Sequence, residues 1–90
     1  MLEDRAQAEA IKNLLAQRVG DIIRASGYSQ TEAAQITGLT QPKLSSVLRG
    51  QLRGVSERRL LDCLTALGND VKIVVTPTPR GRQGSLSVVA

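Results

Sequence analysis

Between residues 41 and 49 the chain carries an amide (Gln41), an ammonium (Lys43), two hydroxyls (Ser45, Ser46) and a guanidinium (Arg49). Leu44, Val47 and Leu48 recur at i, i+3 and i+4, so a helix over this stretch turns them inward. Pro42, Ser45, Ser46 and Arg49 then project the other way, flanked by Gln41 and Lys43. That set suits hydrogen bonding to the edges of base pairs, and a short helix bearing it fits the major groove of duplex DNA. It does not suit covalent chemistry. The chain has no histidine, which removes the usual general base, the usual metal ligand and any Ser-His-Asp triad. One cysteine without histidine builds no zinc site, and neither GxGxxG nor a Walker loop appears. Ser45 and Ser46 have no neighbouring base, so no catalytic residue, metal or cofactor is expected.

The elements that must position this face show at their ends. Ser29 caps a first helix, and Glu32 three residues on completes a capping box. Gly38 ends that helix where a positive φ is needed. Thr40 caps the next one, with Leu39 before the cap and Leu44 after it forming a hydrophobic staple. Ser29 to Gly50, SQTEAAQITGLTQPKLSSVLRG, thus reads as two short helices joined by a tight turn.

On the N-terminal side, Glu3 to Ser26 reads as one amphipathic helix. Ile11, Leu14, Leu15, Val19, Ile22 and Ile23 follow the 3.6-residue period, Glu3 and Asp4 suit the positive end of its dipole, and Gly27 stops it. Gly20 inside the pattern implies close packing or a kink. On the C-terminal side a basic loop, Gln51 to Gly54, carries Arg53. Ser56 caps a helix from Glu57 to Leu67 that buries Leu60, Leu61, Leu64 and Leu67, and Cys63 on the same face reads as a small core residue. Arg58 and Arg59 in its first turn oppose the dipole and are either solvated or phosphate-facing. From Asp70 the period changes. Asp70 to Thr76 is rich in β-branched residues and predicts a strand, ended by Pro77 and Pro79. Arg80 to Gly84 is a basic turn, and Leu86 to Val89 is a second strand or a frayed apolar tail. Two strands alone are marginal in water. Pairing with a second copy makes Val71, Ile73, Val74 and Val75 the expected dimer contact. The division expected is a helical domain over 1–69, with the paired helices at 29–50, and a C-terminal arm over 70–90.

Ninety residues make one small domain with a limited core. Net charge is +4 and uneven: residues 1–40 hold four basic and five acidic side chains, residues 41–90 eight basic and three acidic. The basic half begins at the polar-faced helix, which fits a polyanion. Tyr28 is the only aromatic residue, so there is no stacking platform for single-stranded nucleic acid, whereas a helix in duplex DNA needs none. The N-terminus is acidic with no apolar run behind it, and no stretch approaches membrane-spanning length. A cytoplasmic chain without membrane contact is expected.

Laid out this way, the chain resembles the XRE, or lambda-repressor-like, family of helix-turn-helix proteins, and within it the small HigA-type antitoxins. The similarity covers Ile11 to Val75 and rests on Tyr28–Ala34, Gly38–Ser45 and Leu64–Gly68, the last leading into Asp70–Val75. The resemblance implies a mainly α fold, a lambda-repressor-like bundle of four to five helices with a C-terminal β-strand or hairpin. It places a phosphate contact on Gln30, which would also steady Gln41. It places base contacts on Gln41, Pro42, Ser45 and Ser46, with Lys43 and Arg49 nearby; Arg53 of the basic loop joins this expected DNA-binding set. Thr37 departs from the pattern, standing where relatives usually carry an apolar core residue, although its hydroxyl can bond back one turn. The resemblance further implies a homodimer on a palindromic operator and a RelE-like ribonuclease toxin, silenced by this chain, whose operon the pair represses. Met1 to Ala10 and Arg80 to Ala90 are the candidate toxin contacts, with the acidic Glu3, Asp4 and Glu9 better matched to a basic enzyme. The expected function is therefore a sequence-specific repressor of duplex DNA acting as an antitoxin. The alternatives are a stand-alone regulator without a toxin, and a protein-interaction module that binds no DNA.

Overall fold

The computed structural model describes the backbone of residues 2–89 and the side chains of residues 6–89. Four helices follow one another: α1 (Leu2–Ser26), α2 (Gln30–Thr37), α3 (Gln41–Leu48) and α4 (Glu57–Ala66). α1 packs on α4 and α3, and α2 packs on α3 and α4, so each helix leans on two others around one core. Ile11, Leu15, Ala16, Val19 and Ile23 form the buried stripe of α1, the i, i+4, i+8 spacing that a helix presents to one side. Leu44, Val47, Leu60 and Cys63 close the centre with essentially no exposure. Burial accordingly pushes the Cys63 thiol above its ordinary range. Leu14, expected in that stripe, is 44% exposed.

The helix ends form as their capping residues dictate. Ser29 Oγ accepts from the Glu32 N–H at 3.1 Å and the Glu32 carboxylate accepts from the Ser29 N–H at 3.1 Å, a complete capping box. Thr40 and Ser56 cap α3 and α4 by their hydroxyls alone, which accept from the N–H groups of Lys43 and Arg59, and the flanking pairs Leu39 with Leu44 and Val55 with Leu60 are all buried. Gly38 takes φ +77° at the turn between α2 and α3, a conformation that costs other residues free energy. Thr37 is buried, and its hydroxyl donates to Ala33 O at 2.8 Å. α1 runs through Gly20 as one helix, and the space beside that glycine is filled by the Arg24 guanidinium.

The C-terminal β-strand or hairpin is absent: no strand occurs among the described residues. Asn69 fixes the exit from α4 by donating twice to Leu64 O, from its backbone N–H at 3.1 Å and its side-chain amide at 2.9 Å. Residues 70–87 then run exposed. A strand is defined by its ladder, and no other described segment of this chain exchanges backbone hydrogen bonds with Val71 to Val75, while Pro77 and Pro79 have no N–H to give. Leu86 to Val89 do not pair with that run. They return to α1, where the Gln7 side-chain amide donates to Leu86 O at 2.8 Å and Val88 packs half-buried against the core. The expected dipole role of Glu3 and Asp4 falls on side chains outside the described ones.

Candidate nucleic-acid interface

The turn Gly38–Thr40 sets α3 against α2, and the inward pull of Leu44 and Val47 decides which side of α3 remains outside. Gln41, Pro42, Lys43 and Arg49 are exposed on it, and Ser45 and Ser46 are half-buried. Pro42 stands in the first turn, where its missing N–H leaves no helix bond unmade. The Gln41 side-chain amide donates to Thr31 Oγ1 at 3.3 Å. The side chain that steadies Gln41 is therefore Thr31, where Gln30 was expected; Gln30 is the first residue of α2 and is exposed. At the other end of α3 the Arg49 guanidinium donates to Ser45 Oγ at 2.6 Å and to Gln51 Oε1 at 3.3 Å. The Ser45 hydroxyl is thus engaged by its own helix, and it holds Arg49 against the outer face.

Behind α3 the loop 49–56 is anchored by buried Leu52 and Val55, and Lys12 of α1 donates to Leu52 O at 3.3 Å. Arg53 stands exposed at its tip. A shallow recess of about 360 Å³ opens between this loop and the N-terminal ends of α3 and α4, and Lys43 and Arg59 line it. Lys43 Nζ comes within 3.5 Å of the position a Cβ on Gly54 would take. Arg59 Nη2 donates to Gly38 O at 2.9 Å, which ties α4 to the turn of the helix pair. By sequence alone Arg59 is either solvated or phosphate-facing. Nothing in the spacing of residues twenty-one apart marks this contact, because it exists only once α4 is folded across α2. Arg58 instead pairs with Asp62 on its own helix at 3.1 Å.

Among the described residues the ion pairs are Arg24 with Asp21 and Arg58 with Asp62. The positive charges of Lys43, Arg49, Arg53 and Arg59 consequently stand without a carboxylate partner from those residues. Lys43 and Arg59, in the first turns of α3 and α4, favour an anion through their charge together with the N-terminal dipoles of the two helices. The amide and hydroxyls of α3 add groups able to discriminate bases. Val71, Ile73, Val74 and Val75 are exposed on the arm and take no part in this surface.

Residues 1–76 match a family described as a helix-turn-helix domain. A solved structure described as an XRE-family transcriptional regulator is 38% identical and superposes with a TM-score of 0.89, over 96% of this chain and 98% of that one. No curated relative matches at a significant level.

Proposed function

Because this chain belongs to the XRE helix-turn-helix family of DNA-binding transcriptional regulators, we propose that it represses transcription by laying α3 in the major groove of a specific operator. The observation that carries this reading is the outer face of α3. Gln41 is exposed yet held at a defined place by Thr31, and the same helix carries Lys43 and ends at Arg49, cations that face no described carboxylate. Gln41 reads a base, adenine being the natural match for a side-chain amide, while Lys43, Arg49 and Arg53 contact phosphate and Gln30 adds a contact from α2. Pro42, Ser45 and Ser46 lie against the groove edge. Gln41→Ala should lose about 1–3 kcal/mol of discrimination at one base pair per half-site. Lys43→Ala should weaken all duplexes alike and lower the salt slope by about 1. Titration of each variant against the promoter of its own gene at several salt concentrations separates the two. A Gln41→Ala protein as selective as the parent would remove α3 from this role.

The reading extends to a homodimer on a palindromic operator. Ile73, Val74 and Val75 are 80%, 78% and 91% exposed, and an apolar run of that kind gains free energy when a second copy covers it. The HigA-like block Leu64–Gly68 with Asp70–Val75 supports a narrower form, an antitoxin that also silences a RelE-like ribonuclease. Its acidic contact set narrows to Glu9 among the described side chains, since Glu3 and Asp4 lie outside them. Co-expression with the adjacent reading frame tests it. A small toxic neighbour rescued by this chain is the expected result, and the lack of any toxic neighbour leaves a stand-alone repressor.

A further inference from the structure

After Asp70 the chain contains no acidic residue, and its cations are Lys72, Arg80 and Arg82. Two of these flank a single glycine at the tip of the arm. Residues 70–87 are exposed throughout, and Arg80 and Arg82 are absent from the ion pairs among the described residues. Pro79 to Arg82 form a tight turn: the Arg82 N–H donates to Pro79 O at 3.2 Å, and Gly81 takes φ +84°, as the third position of a type II turn requires. The positive φ accounts for the glycine, and a Cβ there would meet no atom within 4 Å, so the backbone between the two arginines is open to a partner.

We propose that Pro79-Arg80-Gly81-Arg82 is a second DNA-reading element, which enters an A·T-rich minor groove beside the site of α3; this rests on the duplex-binding reading above. The minor groove is about 6 Å wide and narrows further at A-tracts, where its negative potential favours inserted arginine. A glycine between two arginines lets the backbone approach the groove floor while both planar guanidiniums lie along it. Guanidinium is more weakly hydrated than ammonium and loses less on entering so confined a space. The stem suits the task. Pro77 and Pro79 restrict its backbone and lower the free energy of ordering it on DNA. Residues 70–79, extended at about 3.3 Å each, span about 30 Å, close to one turn of the duplex.

The experiment uses the full chain and short duplexes from the promoter of its own gene, with the flanks rewritten as A·T or as G·C. Binding is followed by fluorescence anisotropy at several salt concentrations. The parent should bind the A·T-flanked duplex roughly tenfold more tightly, and a minor-groove drug such as netropsin should erase the difference. R80A/R82A should lose the flank preference. R80K/R82K should lose it too while keeping the salt slope, which a purely phosphate-bound arm would not do. Gln41→Ala should keep the flank preference while losing core selectivity. An unchanged preference in R80A/R82A, full retention in R80K/R82K, or no preference in the parent overturns the arm and leaves α3 standing. A parent that binds neither duplex overturns both.

Discussion

Glu32 shows how one side chain joins local folding to the recognition surface. Its carboxylate accepts the Ser29 N–H, and the backbone and side chain of Ser29 together hold it below the usual carboxylate range. A carboxyl with a depressed native pKa stabilises the fold above its unfolded-state value, and that contribution disappears as pH falls through the native one. Glu32→Gln should therefore melt below the parent at neutral pH, with the gap closing as pH falls from 7 toward 3 in thermal scans. A constant gap would separate the cap from the charge. Ser29→Ala removes the other half of the box and should cost about 1 kcal/mol, or about 4–8 °C in a domain of this size. Ser29 caps α2 and Glu32 stands in its first turn, so weakening them also loosens Thr31 and the Gln41 it holds.

At the scale of the elements, α4 acts as the brace of the helix pair. Arg59 reaches from its first turn to Gly38 O, at the point where the chain reverses between α2 and α3. Its charge opposes the α4 dipole, and this carbonyl is where that charge finds a partner. Arg59→Ala should cost about 1 kcal/mol and raise amide exchange at Leu39 and Thr40, measured by hydrogen–deuterium exchange. Unaltered exchange there would show that the hydrophobic pair Leu39 and Leu44 fixes the turn unaided. Asn69 marks the opposite end of α4, where its two bonds to Leu64 O direct the chain away from the bundle and into the arm.

The whole molecule combines a small helical bundle with an arm whose apolar residues the bundle does not cover. Among its described residues Val88 alone is half-buried against the core. On a two-fold operator, half-sites one helical turn apart, about 34–36 Å, require two copies held at a fixed spacing. Sedimentation of the parent at micromolar concentration should give a dimer, and the full chain carrying Ile73→Asp and Val75→Asp should give a monomer that still folds. A monomeric parent, or a variant that remains dimeric, removes the arm from this contact.

The four helices were legible in the sequence because each is specified locally. Caps at Ser29, Thr40 and Ser56 and the inward spacing of Leu44, Val47 and Leu60 act over a few residues, so composition and order suffice to place α2, α3 and α4. The outer face of α3 followed from the same periodicity. The contacts made across the fold were not legible. Thr31 holding Gln41, and Arg59 bonding Gly38 O, join residues from different helices whose relative placement comes from packing α2 against α3 and α4. The expected strand at Val71 to Val75 failed for the converse reason. β-branched residues state a preference for extended backbone, but a strand also needs hydrogen-bonding neighbours, and the tertiary structure supplies none along that run.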